Sequence, residues 1–345
     1  MIKDKLAIIT NEKVFSKNKY YFCDNVEMKS LPEDLNKNFE IKLFIRNSKE
    51  VKTAHKINLS NIISSRGLIS YLKNIFKTLK NYDKYLIISI SPLTFLVILL
   101  LTIFKKKIFV YLRSRGDEEY KFHSKFFGPI IYNFMFNFIS KRTKLFACGQ
   151  RVLKKKEGFV ISPSQLNKNW LINRKPPDLN NLKLLYVGRV RKEKGIFSLV
   201  KLLEEIKSNF TLTIVNPEKN YEEKFKNKMI KVIQFEESHE EMIKIYDDHN
   251  IFILPSFTEG YSMVLDESLS RLRPAIIFKD ISYVKRNREG IFIAERESSS
   301  LSNTINYINK NYFNIQKKMN SNKFPSRETF LTEVTNIITE KNDKK

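Results

Sequence analysis

The stretch LPSFTEGYSMVLDESLSR, residues 254–271, joins the end of an apolar strand pattern to the start of a helical pattern. Residues 251–254 are typical of a buried strand, and Gly260 stands in the loop that follows. Glu259 and Glu267 are eight residues apart, and on an ideal helix such a step returns close to the same face. Glu267 is therefore expected on the ligand-facing stripe of the helix. Glu259 is expected in the preceding loop, where unpaired N–H groups of the first helical turn point at any bound anion.

A second strand-to-loop element, LKLLYVGRVRKEKG, lies earlier in the chain at residues 182–195. Its apolar strand pattern runs into Gly188, and Arg189 and Lys194 follow, five residues apart. On a loop that leaves a parallel strand, two cations at this spacing can converge on one diphosphate, and Gly188 permits close approach of the backbone. The two elements together predict a site for a sugar nucleotide.

In this order and at this separation, the elements resemble the C-terminal domain of retaining GT-B glycosyltransferases of the family 4 type, the group 1 glycosyl transferases. Members carry G-R-x4-K-G and then P-S-x-x-E-G-x6-E, and this chain matches both between Gly188 and Glu267. The resemblance implies an α/β GT-B fold of two Rossmann-like doubly wound domains that face each other across a cleft. It also implies a hexosyltransferase (EC 2.4) that uses a nucleotide-diphosphate sugar.

The resemblance further implies an acceptor and a pathway. The sugar would pass, with retention of configuration, to a saccharide or polyprenyl-linked saccharide acceptor. The process would be the assembly of bacterial surface polysaccharide, such as capsule, O-antigen or lipopolysaccharide.

The resemblance assigns roles to residues of the second domain. Arg189 and Lys194 are expected at the diphosphate, Glu267 at the ribose and Glu259 at the donor sugar. The other expected donor-binding residues are Gly188, Gly260, Tyr261 and Ser262. Because fixed cations and helix N-termini can stabilise the departing diphosphate, neither a metal nor another cofactor is expected.

The first domain departs from the family pattern. Many members carry glycines after the first strand, but residues 9–22, ITNEKVFSKNKYYF, contain none. Where a histidine often follows the fourth strand, this chain has YLRSRGDEEYKFH at residues 111–123. Either Asp117 or His123 could orient the acceptor hydroxyl. The predicted catalytic residues are thus Arg189, Lys194, Glu259, Asp117 and His123.

Strand and helix patterns alternate through the rest of the chain, as in doubly wound sheets. A polar, proline-bearing stretch at residues 163–181 separates two such series. We therefore place an acceptor-binding domain at residues 1–170 and a nucleotide-sugar-binding domain at residues 171–325. Residues 326–345 have a helical pattern, and the resemblance implies that this helix packs back on the first domain.

Residues 86–104 carry no charge over 19 residues, which is long enough to span a bilayer. Pro92 divides this run into a β-rich half and a Leu-rich half, and another apolar strand pattern follows at residues 108–112. A strand, a helix that begins at Ser91-Pro92 and a second strand fit this sequence better than a membrane span. The first apolar run of the chain is too short for a secretory signal, so a cytoplasmic location is expected. Cys23 and Cys148 suggest neither a disulfide framework nor a zinc site.

The net charge of +25 is concentrated in residues 51–200, which hold 29 Lys or Arg against 7 Asp or Glu. A nucleic acid, an anionic membrane surface or a diphosphate-bearing acceptor would each explain this charge. No RRM, zinc-finger or helix-turn-helix signature accompanies it, so nucleic acid is not an expected partner.

Residues 125–144 are rich in aromatics and fit a broad helical face. Such a helix either packs in the core of the first domain or lies in a lipid headgroup layer. The second reading would place the protein peripherally on the inner face of the cytoplasmic membrane. The alternative to a transferase is a basic protein that binds nucleic acid or membranes with a non-catalytic GT-B fold.

Overall fold

The structure is a computed structural model. It describes residues 3–50, 55–207, 209–216, 225, 227–234 and 238–341, without the side chain of His123. The chain forms two compact units, one of Met1–Ser162 with Glu328–Lys345 and one of Pro163–Arg327. The sequence places the domain limits after residues 170 and 325, and the structure divides the chain after residues 162 and 327.

The first unit is built on a mostly parallel sheet. Its strands are β1 (Asp4–Lys17), β2 (Tyr20–Cys23), β3 (Phe39–Asn47), β4 (His55–Ile57), β5 (Ile62–Ser65), β6 (Lys84–Ile88), β7 (Lys107–Leu112), β8 (Lys144–Ala147) and β9 (Phe159–Val160). The parallel strands lie in the order β5-β3-β1-β6-β7-β8-β9. β1 continues past a bulge between Ile9 and Lys13 and pairs there with β2 in antiparallel fashion. The predicted strand at residues 108–112 is confirmed, with a slightly longer range.

Helices cover both faces of this sheet. They are α1 (Val26–Leu35), α2 (Leu68–Phe76), α3 (Pro92–Ile103), α4 (Gly116–His123), α5 (Phe127–Ser140) and α6 (Gln150–Leu153). Alternate side chains of β1, such as Leu6 and Ile8, pack with Leu31 of α1 on one face. On the other face, Tyr71 of α2 contacts Phe44 of β3, with the ring centroids 6.5 Å apart.

The uncharged run at residues 86–104 forms the end of β6 and the helix α3, as the sequence predicts. α3 begins where the Ser91 hydroxyl accepts a hydrogen bond from the Thr94 N–H and the Thr94 hydroxyl accepts one from the Ser91 N–H. Pro92 occupies the first helical position, where its missing N–H costs nothing. Among the described residues, every helix is too short or too polar to cross a bilayer.

The second unit is built on a parallel sheet in the order β12-β11-β10-β13-β14-β15. Its strands are β10 (Leu182–Val187), β11 (Phe210–Asn216), β12 (Ile230–Gln234), β13 (Ile251–Leu254), β14 (Ala275–Phe278) and β15 (Ile291–Ala294), and its helices are α7 (Ile196–Glu204), α8 (His239–Asp247), α9 (Met263–Ser270), α10 (Ser298–Lys310) and α11 (Tyr312–Met319). The strand order reverses between β10 and β13. In open parallel sheets, ligands bind in the crevice at the carboxyl ends of the strands on either side of such a reversal.

The last helix, α12 (Arg327–Ile338), returns the chain to the first unit. Its buried residues Phe330, Val334, Ile337 and Ile338 lie in the same core cluster as Leu6 and Leu31. The chain therefore leaves and re-enters the first unit, and the second unit is inserted between two of its segments.

Candidate functional site

Two loops leave the second sheet side by side. β10 and β13 are parallel neighbours, with Leu184 opposite Ile251 and Leu185 opposite Phe252. The loops that follow them, residues 188–195 and 255–262, therefore emerge at the same edge of the sheet.

These loops are also bonded to each other. The backbone N–H of Phe257 donates to the carbonyl of Glu193 at 2.9 Å. Gly195 has a φ of +68°, and a Cβ there would lie only 2.0 Å from the Pro255 carbonyl oxygen. The two sequence elements that carry the family resemblance thus form one packed structure.

Lys194 and Glu259 form the central ion pair of the site. The Lys194 Nζ lies 2.6 Å from the Glu259 Oε1, and the Ser256 hydroxyl donates to the same carboxylate oxygen at 2.7 Å. The Tyr283 hydroxyl donates to the backbone carbonyl of Glu259 at 2.8 Å and accepts from its N–H at 3.1 Å. The Glu259 side chain is buried, so these contacts hold its carboxylate in one position beside a cation.

Arg189 supplies a second cation on the same loop. Its carbonyl accepts a hydrogen bond from the Tyr186 hydroxyl at 2.8 Å, and the preceding N–H of Gly188 donates to the Val215 carbonyl at 2.9 Å. These bonds fix the backbone of the loop at the end of β10. Within the described part of the chain, the half-buried Arg189 guanidinium forms no hydrogen bond or ion pair, so its donors remain available to an anion.

Helix α9 begins directly after the second of the two loops, which contains residues 260–262. Ser262 is the N-cap residue, but its hydroxyl makes no capping bond. This oxygen is buried and has no hydrogen-bond partner among the described residues. The Tyr261 hydroxyl donates to Asp266 in the first turn, and Arg288 pairs with the same carboxylate. The helix start therefore keeps an unpartnered hydroxyl where the positive end of the helix dipole favours an anion.

Glu267 lies within α9, five residues after the N-cap residue Ser262. Its Oε2 accepts a hydrogen bond from the Tyr246 hydroxyl at 2.8 Å. Burial raises the pKa of the Glu267 carboxyl to about 7, although the bond from Tyr246 lowers it. Such a desolvated carboxylate gains most from further hydrogen-bond donors, because each one offsets the cost of its charge.

The sequence patterns did not identify three side chains that support the site, namely Tyr246, Tyr283 and Arg296. Arg296 donates to the carbonyls of Pro255 and Ser256 at 2.8 and 2.9 Å and pairs with Asp280 at 2.7 Å. These residues follow other strands or lie on other helices. No spacing rule connects them to residues 188–195 or 255–262, and only the fold brings them together.

Arg273, which directly precedes Pro274, has a clear structural role. Its side chain is buried and donates to the carbonyls of Asp247 and Lys175 at 2.7 and 2.9 Å. The nearby Arg271 pairs with the Asp247 carboxylate at 2.6 Å and also donates to the Ile172 carbonyl at 2.7 Å. Two arginines thus tie residues 172–175 to the ends of α8 and α9.

The acceptor-side candidates lie in the first unit. Asp117 accepts two hydrogen bonds from Arg115, at 2.8 and 2.6 Å, and one from Lys154 at 3.2 Å. Burial alone would raise the pKa of the Asp117 carboxyl, but these two cations outweigh burial and lower the pKa to about 2. Asp117 is therefore ionised and already paired. His123 ends α4, and its side chain lies outside the described residues.

Arg113 directly follows β7. Its Nε lies 2.7 Å from the Oε2 of the buried Glu27, and the Tyr111 hydroxyl donates to the Glu27 Oε1 at 2.9 Å. The guanidinium is thus anchored on one edge and remains about one quarter exposed. Among the described residues, no group of three or more His, Cys, Asp or Glu could hold a metal ion.

Comparison with known proteins links one part of the chain to a family and the whole chain to a fold. Residues 168–324 match the family model described as Glycosyl transferases group 1, and the two loops lie within this range. No curated protein matches the chain.

Solved structures match nearly the whole chain at low sequence identity. Sucrose-phosphate synthase from Thermosynechococcus elongatus is 14% identical with a TM-score of 0.73, covering 99% of this chain and 100% of its own. Anabaena HepE, in complex with UDP and glucose, is 13% identical with a TM-score of 0.69 and covers 99% of this chain and 100% of its own. WaaG, a glycosyltransferase involved in lipopolysaccharide biosynthesis, is 12% identical with a TM-score of 0.63, covering 96% and 99%. The predicted GT-B class, with two Rossmann-like α/β domains, is confirmed.

Proposed function

We propose that the chain is a glycosyltransferase that transfers a hexose-type sugar from a nucleoside diphosphate to a saccharide or polyprenyl-linked saccharide, and the family match of residues 168–324 supports this. One observation carries this proposal. Lys194 and Glu259, from two separate loops, meet 2.6 Å apart at the strand reversal of the second sheet, and Arg189 lies on the same loop as Lys194. Two cations and one held carboxylate suit a ligand that combines a diphosphate with a hydroxyl-bearing sugar.

Donor binding follows from these positions. The diphosphate would lie against Arg189, Lys194 and the start of α9, and the buried Ser262 hydroxyl would gain a partner there. Glu267 would accept hydrogen bonds from the ribose hydroxyls, which would stabilise its ionised form. HepE, which shares the fold, is known in complexes with UDP and with UDP-glucose, and this supports a nucleotide-sugar donor.

Rate acceleration would come from fixed charges. Breaking the bond to the sugar places negative charge on the departing nucleoside diphosphate, and preorganised cations stabilise that charge. Arg189 and Lys194 would stabilise this negative charge without a metal. Glu259 would hold Lys194 in place and face the donor sugar. Retention of configuration and a role in surface polysaccharide assembly complete the proposal, by analogy with the family and with WaaG.

Nucleotide binding tests the proposal directly. The melting temperature is measured with UDP, GDP, ADP and their common sugar conjugates, because a ligand that binds only the folded state must raise it. We expect one nucleotide series to stabilise the protein, and Lys194→Ala and Glu267→Ala each to abolish the shift. Lys192→Ala removes an exposed lysine from the same loop and should keep it.

Turnover with the stabilising donor gives the second measurement. Loss of Lys194 should lower kcat by about 100-fold to 1,000-fold, the usual cost of removing one group that stabilises developing negative charge. Absence of stabilisation by every nucleotide at millimolar concentration would refute the proposal.

A further inference from the structure

Helix α5 is apolar on both of its sides. Its buried side, which includes Tyr132, Met135 and Phe136, packs into the first unit. Its outer side carries Phe127, Ile130, Ile131 and Phe134, whose spacing of i, i+3, i+4 and i+7 defines one continuous helical stripe. A surface helix normally places polar residues on that stripe.

The exposure of this outer stripe is large. Phe127, Ile130 and Phe134 are 70%, 65% and 66% exposed, and Phe126, just before the helix, is 74% exposed. Phe122, near the end of α4, is also exposed. We call Phe122, Phe126, Phe127, Ile130, Ile131 and Phe134 the α5 face.

Neighbouring elements hold the α5 face rigidly. The ring of Phe95 on α3 contacts the rings of Phe134 and Phe138, with centroids 6.0 and 5.4 Å apart. The chain at Gly128 packs so closely on α4 that an added Cβ would lie 2.3 Å from the Tyr120 carbonyl oxygen. The α5 face is thus a preformed apolar surface on folded helices.

Positive charge borders this surface at both ends. Lys121 and Lys125 are exposed before α5, and Lys141 and Arg142 are exposed after it. Residues 121–156 contain nine Lys or Arg and no Asp or Glu.

We propose that the α5 face docks onto the surface of a lipid bilayer that contains anionic lipids, with the axis of α5 parallel to the membrane. The aromatic and aliphatic side chains would enter the headgroup layer, while the flanking lysines and arginine would contact lipid phosphates. A second copy of the chain is a poor occupant, because it would bring two strongly positive surfaces together. The proposal does not depend on the identity of the transferred sugar.

Vesicle sedimentation of the full chain tests the proposal. The probes are vesicles of phosphatidylcholine alone and vesicles in which roughly a third of the lipid is phosphatidylglycerol. We expect at least about tenfold stronger partitioning onto the anionic vesicles, with a loss on added salt. Phe127→Ser with Ile130→Ser should weaken this partitioning by at least about tenfold. Lys121→Gln with Lys125→Gln should weaken it by about fivefold per lysine.

A matched control uses exposed apolar residues of the second unit. Tyr307 and Phe313 are 55% and 65% exposed, and Tyr307→Ser with Phe313→Ser should leave partitioning unchanged. All variants should keep the wild-type melting temperature and its nucleotide-dependent shift, which separates this test from that of donor binding. Equal partitioning of the wild type and the α5-face variant would overturn the proposal. Dimerisation that the same variant abolishes, without vesicle binding, would assign the α5 face to a second copy.

Discussion

At the residue scale, the Glu267 carboxyl is buried at a cost to its ionised form. Its pKa is raised to about 7 from an ordinary 4.5 because burial disfavours the charged form. The stability associated with the protonated form is fully present below about pH 4.5 and is lost as the pH rises through 7. A ligand that donates hydrogen bonds to this carboxylate acts in the opposite direction, because it favours ionisation.

The raised pKa of Glu267 therefore predicts that both the stability of the protein and nucleotide binding depend on pH. We expect Glu267→Gln to reduce the fall in melting temperature between pH 5 and 8, since glutamine cannot ionise. In the wild type, nucleotide binding near pH 7 should release a proton. Calorimetric titration in buffers of different ionisation enthalpy measures this release.

Tyr246→Phe refines the test. It removes the hydrogen bond that lowers the pKa of Glu267, so the pH at which stability falls should move upward. If the melting temperature changes with pH in the same way in the wild type, Glu267→Gln and Tyr246→Phe, the pH dependence does not come from the ionisation of Glu267.

At the element scale, the packing of the loop at residues 188–195 against the loop at residues 255–262 depends on Gly195. An alanine there would adopt an unfavourable φ of +68° and place its Cβ 2.0 Å from the Pro255 carbonyl oxygen. We expect Gly195→Ala to destabilise the second unit by at least about 2 kcal/mol and to weaken nucleotide binding. Urea unfolding followed by the fluorescence of Trp170 measures the loss, because this single tryptophan is buried in the second unit.

Gly67 is the matched control for Gly195. It has an extended φ of −133°, and a Cβ at Gly67 would meet no atom within 4 Å. Gly67 lies in the first unit, so scanning calorimetry measures its variant: Gly67→Ala should cost less than about 1 kcal/mol and leave nucleotide binding intact. Equal effects of the two substitutions on stability and binding would show that loop packing is not what Gly195 provides.

The adjacent residues Asp247 and Asp248 give a second prediction at this scale. Asp247 is buried and paired with Arg271, whereas Asp248 is 44% exposed and pairs with Lys175 at 3.1 Å. Asp247→Ala leaves a buried guanidinium without its anion and should cost about 3–5 kcal/mol. Asp248→Ala should cost less than about 1 kcal/mol, because surface ion pairs contribute little. Urea unfolding monitored by Trp170 compares the two variants, and similar losses would contradict the assigned roles.

At the scale of the whole molecule, the chain passes from the first unit into the second and returns through α12. Phe330 of this helix is fully buried in the core of the first unit, whereas the next residue, Leu331, is only half-buried. Phe330→Ala should therefore destabilise the first unit by about 3–5 kcal/mol, and Leu331→Ala should destabilise it by less.

Scanning calorimetry with Trp170 fluorescence separates the two units in this experiment. We expect Phe330→Ala to lower the melting transition of the first unit while the fluorescence transition stays in place. If both transitions shift together, the two units unfold as one cooperative structure.

Much of this molecule could be predicted from local patterns. Buried parallel strands appear as continuous apolar runs such as residues 184–187 and 251–254, because both faces of the strand are covered. The positions of Gly188, Arg189, Lys194 and Glu259 after β10 and β13 could be predicted because each follows an apolar strand pattern, and the binding roles of these residues and of Glu267 stay predictions. The helix from Pro92 could be distinguished from a membrane span because Ser91-Pro92 is a helix start.

Only the tertiary structure decided which side chains complete the site and which surface stays exposed. Tyr246, Tyr283 and Arg296 come from separate elements, so no spacing in the chain connects them with Glu267 or Glu259. The apolar pattern of α5 was compatible with burial and with exposure, and the packing of α3 and α4 left its outer stripe uncovered. The sequence determines which side chains follow each strand, because these residues are neighbours in the chain. Contacts between elements depend on how the strands are ordered in the sheet, and that order exists only in the folded chain.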